Sequence, residues 1–301
     1  MSLTGQSYAL LEARGVVALT GAEARAFLQG MISKDVDQLS PSRALYGGLL
    51  TPQGKYLHDF FVVESGASVL LDCERARIDD LIDRLNRFRL RAAVEIADRS
   101  ANWQVAALWG GGPAPFPGLG RVPGAAKPYE GGVVMVDPRL TALGLRAILP
   151  RPTGAASLAG AGFAAAAEAD YDRLRLGLGV ADGSRDMMVE KSFLLEGNFE
   201  ALNGVDFDKG CYVGQENTAR QKHRDKVRKQ LMRVDVKGPL PEPGTPIMLG
   251  KREVGVMRSG RESTGIALLR VASVGEALAR GEALSAGAAV LTPVEPAWAS
   301  D

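Results

Sequence analysis

Short apolar runs broken by turn-forming residues dominate the first third of the chain, a pattern that suits antiparallel strands. Residues 15–20, 44–50, 56–64 and 68–72 are such runs. Thr51-Pro52-Gln53-Gly54 and Ser65-Gly66 supply the turns between the later ones. Two stretches switch to helical spacing. Residues 21–30 predict a short helix capped by Thr20 and stopped by Gly30. Within residues 74–91, Ile78, Leu81, Ile82, Leu85 and Phe88 recur every three or four positions. They predict an amphipathic helix lying on the strands with its charges in solvent.

Further on, residues 109–128 are rich in Gly and Pro and predict a loop, and residues 131–136 and 143–149 predict strands. A second Pro/Gly break at 150–162 precedes an alanine-rich helix expected over 163–174. Short strands expected at 231–236, 246–249, 253–258 and 266–271 predict a small antiparallel barrel or sandwich. The chain therefore divides into a larger α+β region, residues 1–230, and a C-terminal β unit, residues 231–301.

Composition narrows the function classes. The 301 residues are 46% hydrophobic and 24% charged, and 36 Lys+Arg nearly balance 35 Asp+Glu. Such a chain has no general attraction to nucleic acid or anionic membranes, so any such contact needs a local patch. No run of 18 apolar residues occurs, and no membrane partner is expected. Cys73, Cys211, His58 and His223 lack metal-ligand spacing, which argues against a zinc or iron–sulfur site held by this chain's Cys and His alone. With no signal peptide recognised, the two cysteines predict reduced thiols in a cytoplasmic setting. Gly177-Leu178-Gly179 and Gly110-Gly111-Gly112 fail as phosphate-binding motifs: the first follows a helical segment and the second runs into Pro113. Residues 220–233 carry seven Lys/Arg against Asp225; a solvated run is the simpler reading and a polyanion site the alternative.

The densest chemistry lies in Lys209-Gly210-Cys211-Tyr212-Val213-Gly214-Gln215-Glu216. Two glycines beside reactive groups point to a sharp turn or a close approach. An ammonium two residues from a thiol favours thiolate, giving Cys211 the role of nucleophile or ligand and Lys209 that of poising it. A tight turn with a half-buried cysteine is the competing reading.

This motif, with Ala219-Arg220 after it and Asn203-Gly204-Val205-Asp206-Phe207 before it, resembles the YgfZ family of folate-binding proteins that assist iron–sulfur enzymes. That family is related to the T-protein (aminomethyltransferase) of the glycine cleavage system. The segments at 19–36, 50–55 and 173–177 resemble the superfamily in the same order. The resemblance implies an α+β, three-lobed aminomethyltransferase-like cloverleaf with mostly antiparallel sheets and a small C-terminal β-barrel. It also implies tetrahydrofolate, or a one-carbon derivative, in a central channel lined by the motif. Gln215, Glu216, Arg220 and Tyr212 are the candidate folate contacts, with Gln215 and Glu216 taken as strand neighbours pointing to opposite sides. Cys211 and Lys209 are the candidate functional pair, and no metal ligands are assigned.

The implied function is that of an accessory protein for assembly or repair of iron–sulfur clusters, with client or assembly proteins as partners. Because the chain is short of cysteines, a cluster at Cys211 would be shared with a partner. A folate-dependent aminomethyltransferase or demethylase is the alternative. Against it, the glutamate that the aminomethyltransferases carry is matched here by Gly177, and their catalytic aspartate falls near Asp79, on a face expected to be solvated. An RNA-binding scaffold using the basic run is a third reading.

Overall fold

The computed structural model describes residues 5–111, 115–223 and 227–299. Gly112 and Pro113, and residues 224–226 of the basic run, lie outside them.

The N-terminal hairpins form a five-stranded sheet in the order Leu45–Leu50, Tyr56–Ser65, Ser68–Glu74, Arg14–Thr20 and Glu95–Asp98. The turn at 51–54 pairs the first two strands antiparallel, with Tyr46 opposite Phe61 and Gly48 opposite Asp59. The helix Ile78–Arg89 covers this sheet with Ile78, Leu81 and Leu85 buried against it. Thr20 caps nothing: the helix Ala24–Gln29 starts after Glu23, without a side-chain cap, and Gly30 ends it.

A second sheet has six strands in the order Ala164–Ala165, Ser7–Leu10, Trp103–Trp109, Leu145–Pro150, Gly132–Val136 and Ala126–Tyr129. Its edge explains a misplaced helix. Ala164 and Ala165 pair in parallel with Ser7 and Tyr8, so the helix expected from residue 163 begins only at Glu168 and runs to Gly177. The break expected at 150–162 also contains a short helix, Gly154–Gly160.

The third lobe is a closed barrel ordered Lys229–Lys237, Thr264–Arg270, Arg252–Arg261, Pro246–Leu249, Leu284–Ala286 and Ala289–Val294. Val234, Ile247, Val254 and Leu269 fill it. One apolar cluster joins all three lobes: Val16 and Phe61 come from the first sheet, Trp109 and Ile148 from the second, and Leu231 and Ile266 from the barrel. The protein is thus an α+β cloverleaf with a C-terminal β-barrel.

Candidate functional site

A cavity of about 630 Å³ opens beside this junction, lined by seven arginines and five carboxylates along with Phe61 and Tyr171. Strand alternation builds its inner end. In Tyr56–Ser65, His58 faces the covering helix and meets Asp80 at 2.8 Å, while Asp59 and Phe61 face the cavity. Asp59 accepts hydrogen bonds from the hydroxyls of Tyr56 at 2.6 Å and Tyr46 at 3.1 Å. Burial, and then the Asp59 charge, push both phenols well above their ordinary range, so they remain donors.

Most of the cavity's charge is already matched. Asp72 is fully buried and takes Arg14 Nε at 2.6 Å together with Arg146. Burial alone would raise its pKa, but the two guanidiniums outweigh burial and hold it below the usual carboxylate range. Asp137 forks Arg139 at 3.0 and 2.8 Å, and Arg139 also donates to the Tyr171 oxygen. The Phe61 ring lies beneath Arg146 at 4.0 Å and Arg139 at 4.8 Å. Further out, Asp172 accepts from Arg175 at 2.7 Å, Arg185 at 3.0 Å and Arg261 of the barrel at 3.1 Å. Asp182 is brought down to about 2, because Arg175 and Arg185 outweigh the effect of its burial.

The 209–216 motif lies elsewhere, and none of its residues lines this cavity. Lys209 is buried, and its ammonium donates to the carbonyls of Gln29 at 2.9 Å, Ile32 at 2.7 Å and Lys34 at 2.9 Å. Desolvation lowers its pKa to about 8 despite the pull of Asp35 and Asp206. The cation expected to poise the thiol is therefore committed to three carbonyls. Cys211 is exposed, whereas Tyr212 next to it is buried with Lys209 Nζ 5.0 Å from its ring.

Gly214 has φ +85°, and a Cβ there would lie 2.5 Å from the Thr51 oxygen, so only glycine lets the motif close on the 51–54 turn. Gln215 and Glu216 are not strand neighbours, since both belong to the helix Gln215–His223. Gln215 Oε1 accepts from the Tyr212 amide at 3.1 Å, and Glu216 pairs with Arg220 one turn on, in solvent. Asp79 is exposed on the covering helix. Two carboxylates reach the cavity from this lobe, Glu74 at a strand end and the buried Asp59. The signal for Asp59 was a carboxylate on the inward face of an otherwise aromatic strand.

Comparison with known proteins fits this architecture. The family profile "CAF17, C-terminal beta-barrel domain" matches residues 228–301. The glycine cleavage system aminomethyltransferase T from Bartonella henselae superposes with a TM-score of 0.79, covering 97% of this chain and 85% of that one at 15% identity. At that identity the likeness concerns the fold alone. The mitochondrial iron–sulfur cluster assembly factor IBA57 of Mus musculus is 30% identical over 281 residues, covering 86% of this chain and 76% of the mouse protein. The chain belongs to the IBA57 family of iron–sulfur cluster assembly factors. The human IBA57 is 29% identical with the same coverage. The Mycosarcoma maydis IBA57 homolog is 33% identical over 73% of this chain, which spans about half (54%) of that relative's length. These IBA57 relatives are all named as mitochondrial, which overturns the cytoplasmic setting expected from the thiols. Two unpaired cysteines, one buried and one exposed, do not identify a compartment.

Proposed function

We propose that this IBA57-family protein works in iron–sulfur cluster assembly, that it holds a reduced folate in the 630 Å³ cavity, and that it presents Cys211 as an exposed thiol to a partner. The folate-binding YgfZ proteins are then its functional relatives. The observation that carries the folate reading is the charge pairing of the cavity. Its size suits a small ligand. With Asp72, Asp137 and Asp172 balancing the arginines, it lacks the excess positive charge that a nucleotide phosphate would call for, and it offers directional polar contacts to a neutral ring.

Asp59 retains acceptor capacity beyond its two tyrosine bonds and would take the amino and ring N–H groups of the pterin. Arg75, which has no ion pair among the described residues, lines the outer part and would meet a carboxylate of the glutamate tail. When bound, a reduced folate would supply the capacity to carry a one-carbon unit. The chain's own part is to orient the ring on Asp59 and shield it among Phe61 and the arginines.

The thiol reading rests on exposure. Cys73 is buried and pushed up to about 12 by desolvation, which leaves Cys211 as the accessible sulfur. A cluster, as cargo, would take one ligand from Cys211 and the others from a partner.

Calorimetric titration with tetrahydrofolate tests the first part. Asp59→Asn is expected to weaken binding about tenfold, as loss of a charged hydrogen-bond acceptor should. Cys211→Ala should bind folate as the parent does, yet fail to restore iron–sulfur enzyme activity in cells lacking the protein. Full restoration by Cys211→Ala overturns the thiol role, and unchanged affinity in Asp59→Asn overturns the assignment of the cavity.

A further inference from the structure

The end of the helix Ile78–Arg89 leaves the body of the protein. Leu85 is its last buried residue, and residues 86–91 are all exposed. Phe88 is 46% exposed and Leu90 86%, the largest value among the exposed large hydrophobics of the described residues. Arg87, Arg89 and Arg91 alternate with them, and no acidic residue occurs between Asp83 and Glu95. Leu90 has φ +47° and ψ −108°, a conformation costly for a leucine and one that tends to persist where function needs it. Arg84 is engaged by Asp80 and Glu190, and Arg89 donates to the Val94 carbonyl. Arg87 and Arg91 have no ion pair among the described residues. Cations at a helix C-terminus are favoured by its dipole, but that accounts for neither the two projecting apolar side chains nor the strained backbone.

We propose that this tip docks on an anionic phospholipid surface, with Phe88 and Leu90 entering the headgroup layer and Arg87, Arg89 and Arg91 meeting lipid phosphates. Guanidinium forks match phosphate oxygens, and interfacial segments combine an apolar edge with flanking cations in this way. A near-neutral chain has no general attraction to such a surface, so the contact must be local, and this patch is local. A projecting tip suits a layer that yields around it better than a protein face, which would need a matching pocket.

Flotation of the full chain with vesicles tests the assignment, comparing phosphatidylcholine alone with an equimolar phosphatidylcholine–phosphatidylglycerol mixture at low ionic strength. Binding is expected to the mixture only and to fall as salt rises. Each arginine at the surface contributes about fivefold in partitioning, so Arg87→Ala/Arg91→Ala should lose about 25-fold. Leu90→Gly should weaken vesicle binding while its melting temperature stays level or rises, because glycine relieves the positive φ. Absence of binding to the anionic vesicles overturns the proposal and leaves the tip to an acidic protein face. Unchanged binding in the double arginine variant, or a lowered melting temperature for Leu90→Gly, also overturns it.

Discussion

Lys209 Nζ lies 2.7 Å from the carbonyl oxygen of Ile32, a residue 177 positions earlier in the chain. That bond and its two companions fasten the cysteine-bearing loop to the N-terminal lobe. Lys209→Met removes three charge-assisted bonds and leaves carbonyls unpaired, at an expected cost of about 2–3 kcal/mol by denaturant unfolding. The pH dependence carries a sign. Burial lowers the Lys209 pKa from 10.5 to about 8, so the unfolded chain holds the proton more tightly than the folded one. The parent should therefore gain stability relative to Lys209→Met as pH rises from about 8 to 10.5. A difference that is flat across this window would contradict the desolvated ammonium.

Asp72→Asn should destabilise far more than a surface change. Removing the charge leaves Arg14 and Arg146 buried without their shared partner, a loss of about 3–5 kcal/mol in thermal or denaturant unfolding.

His58 has the opposite position to a paired surface histidine. Burial, with Arg77 adding to it, lowers its pKa from 6.5 to about 4 even though Asp80 opposes the shift. As pH falls from about 6.5 to 4 the unfolded chain takes up a proton that the folded chain refuses, so stability declines. His58→Gln should show a shallower decline over that window in acid unfolding curves followed by circular dichroism.

Gly214→Ala places a methyl against the Thr51 oxygen at a backbone angle that alanine resists. An expected loss of about 1–3 kcal/mol should come with faster amide exchange in the 51–54 turn and around Cys211. Normal exchange there would mean that the turn and the motif are not packed as one unit.

Local patterns carried the strands and the covering helix. The turn at 51–54 and the spacing of Ile78, Leu81 and Leu85 are readable without knowing what they pack against. The site was less legible because its partners come from far away. Nothing near Lys209 foretells that its ammonium ends on Gln29, Ile32 and Lys34, so a reading limited to neighbours assigned it to Cys211. Asp59 was passed over for a similar reason. The role of this strand carboxylate appears only once Tyr46 is folded onto it and the second sheet brings Arg146 to the same cavity. The helix at Gln215 was missed because the glycine before it reads as part of a turn, although it also permits a helix start.

Asp172 holds Arg175 of its own helix and Arg261 of the barrel, and Arg175 in turn reaches Ser259 of the same barrel strand. The C-terminal lobe is thus keyed to the cavity wall and cannot swivel without unlocking it. A turn of the barrel against that wall would have to break the Asp172–Arg261 and Arg175–Ser259 bonds together. The small C-terminal lobe is part of the cavity's own wall, through Arg261, and not a separate appendage.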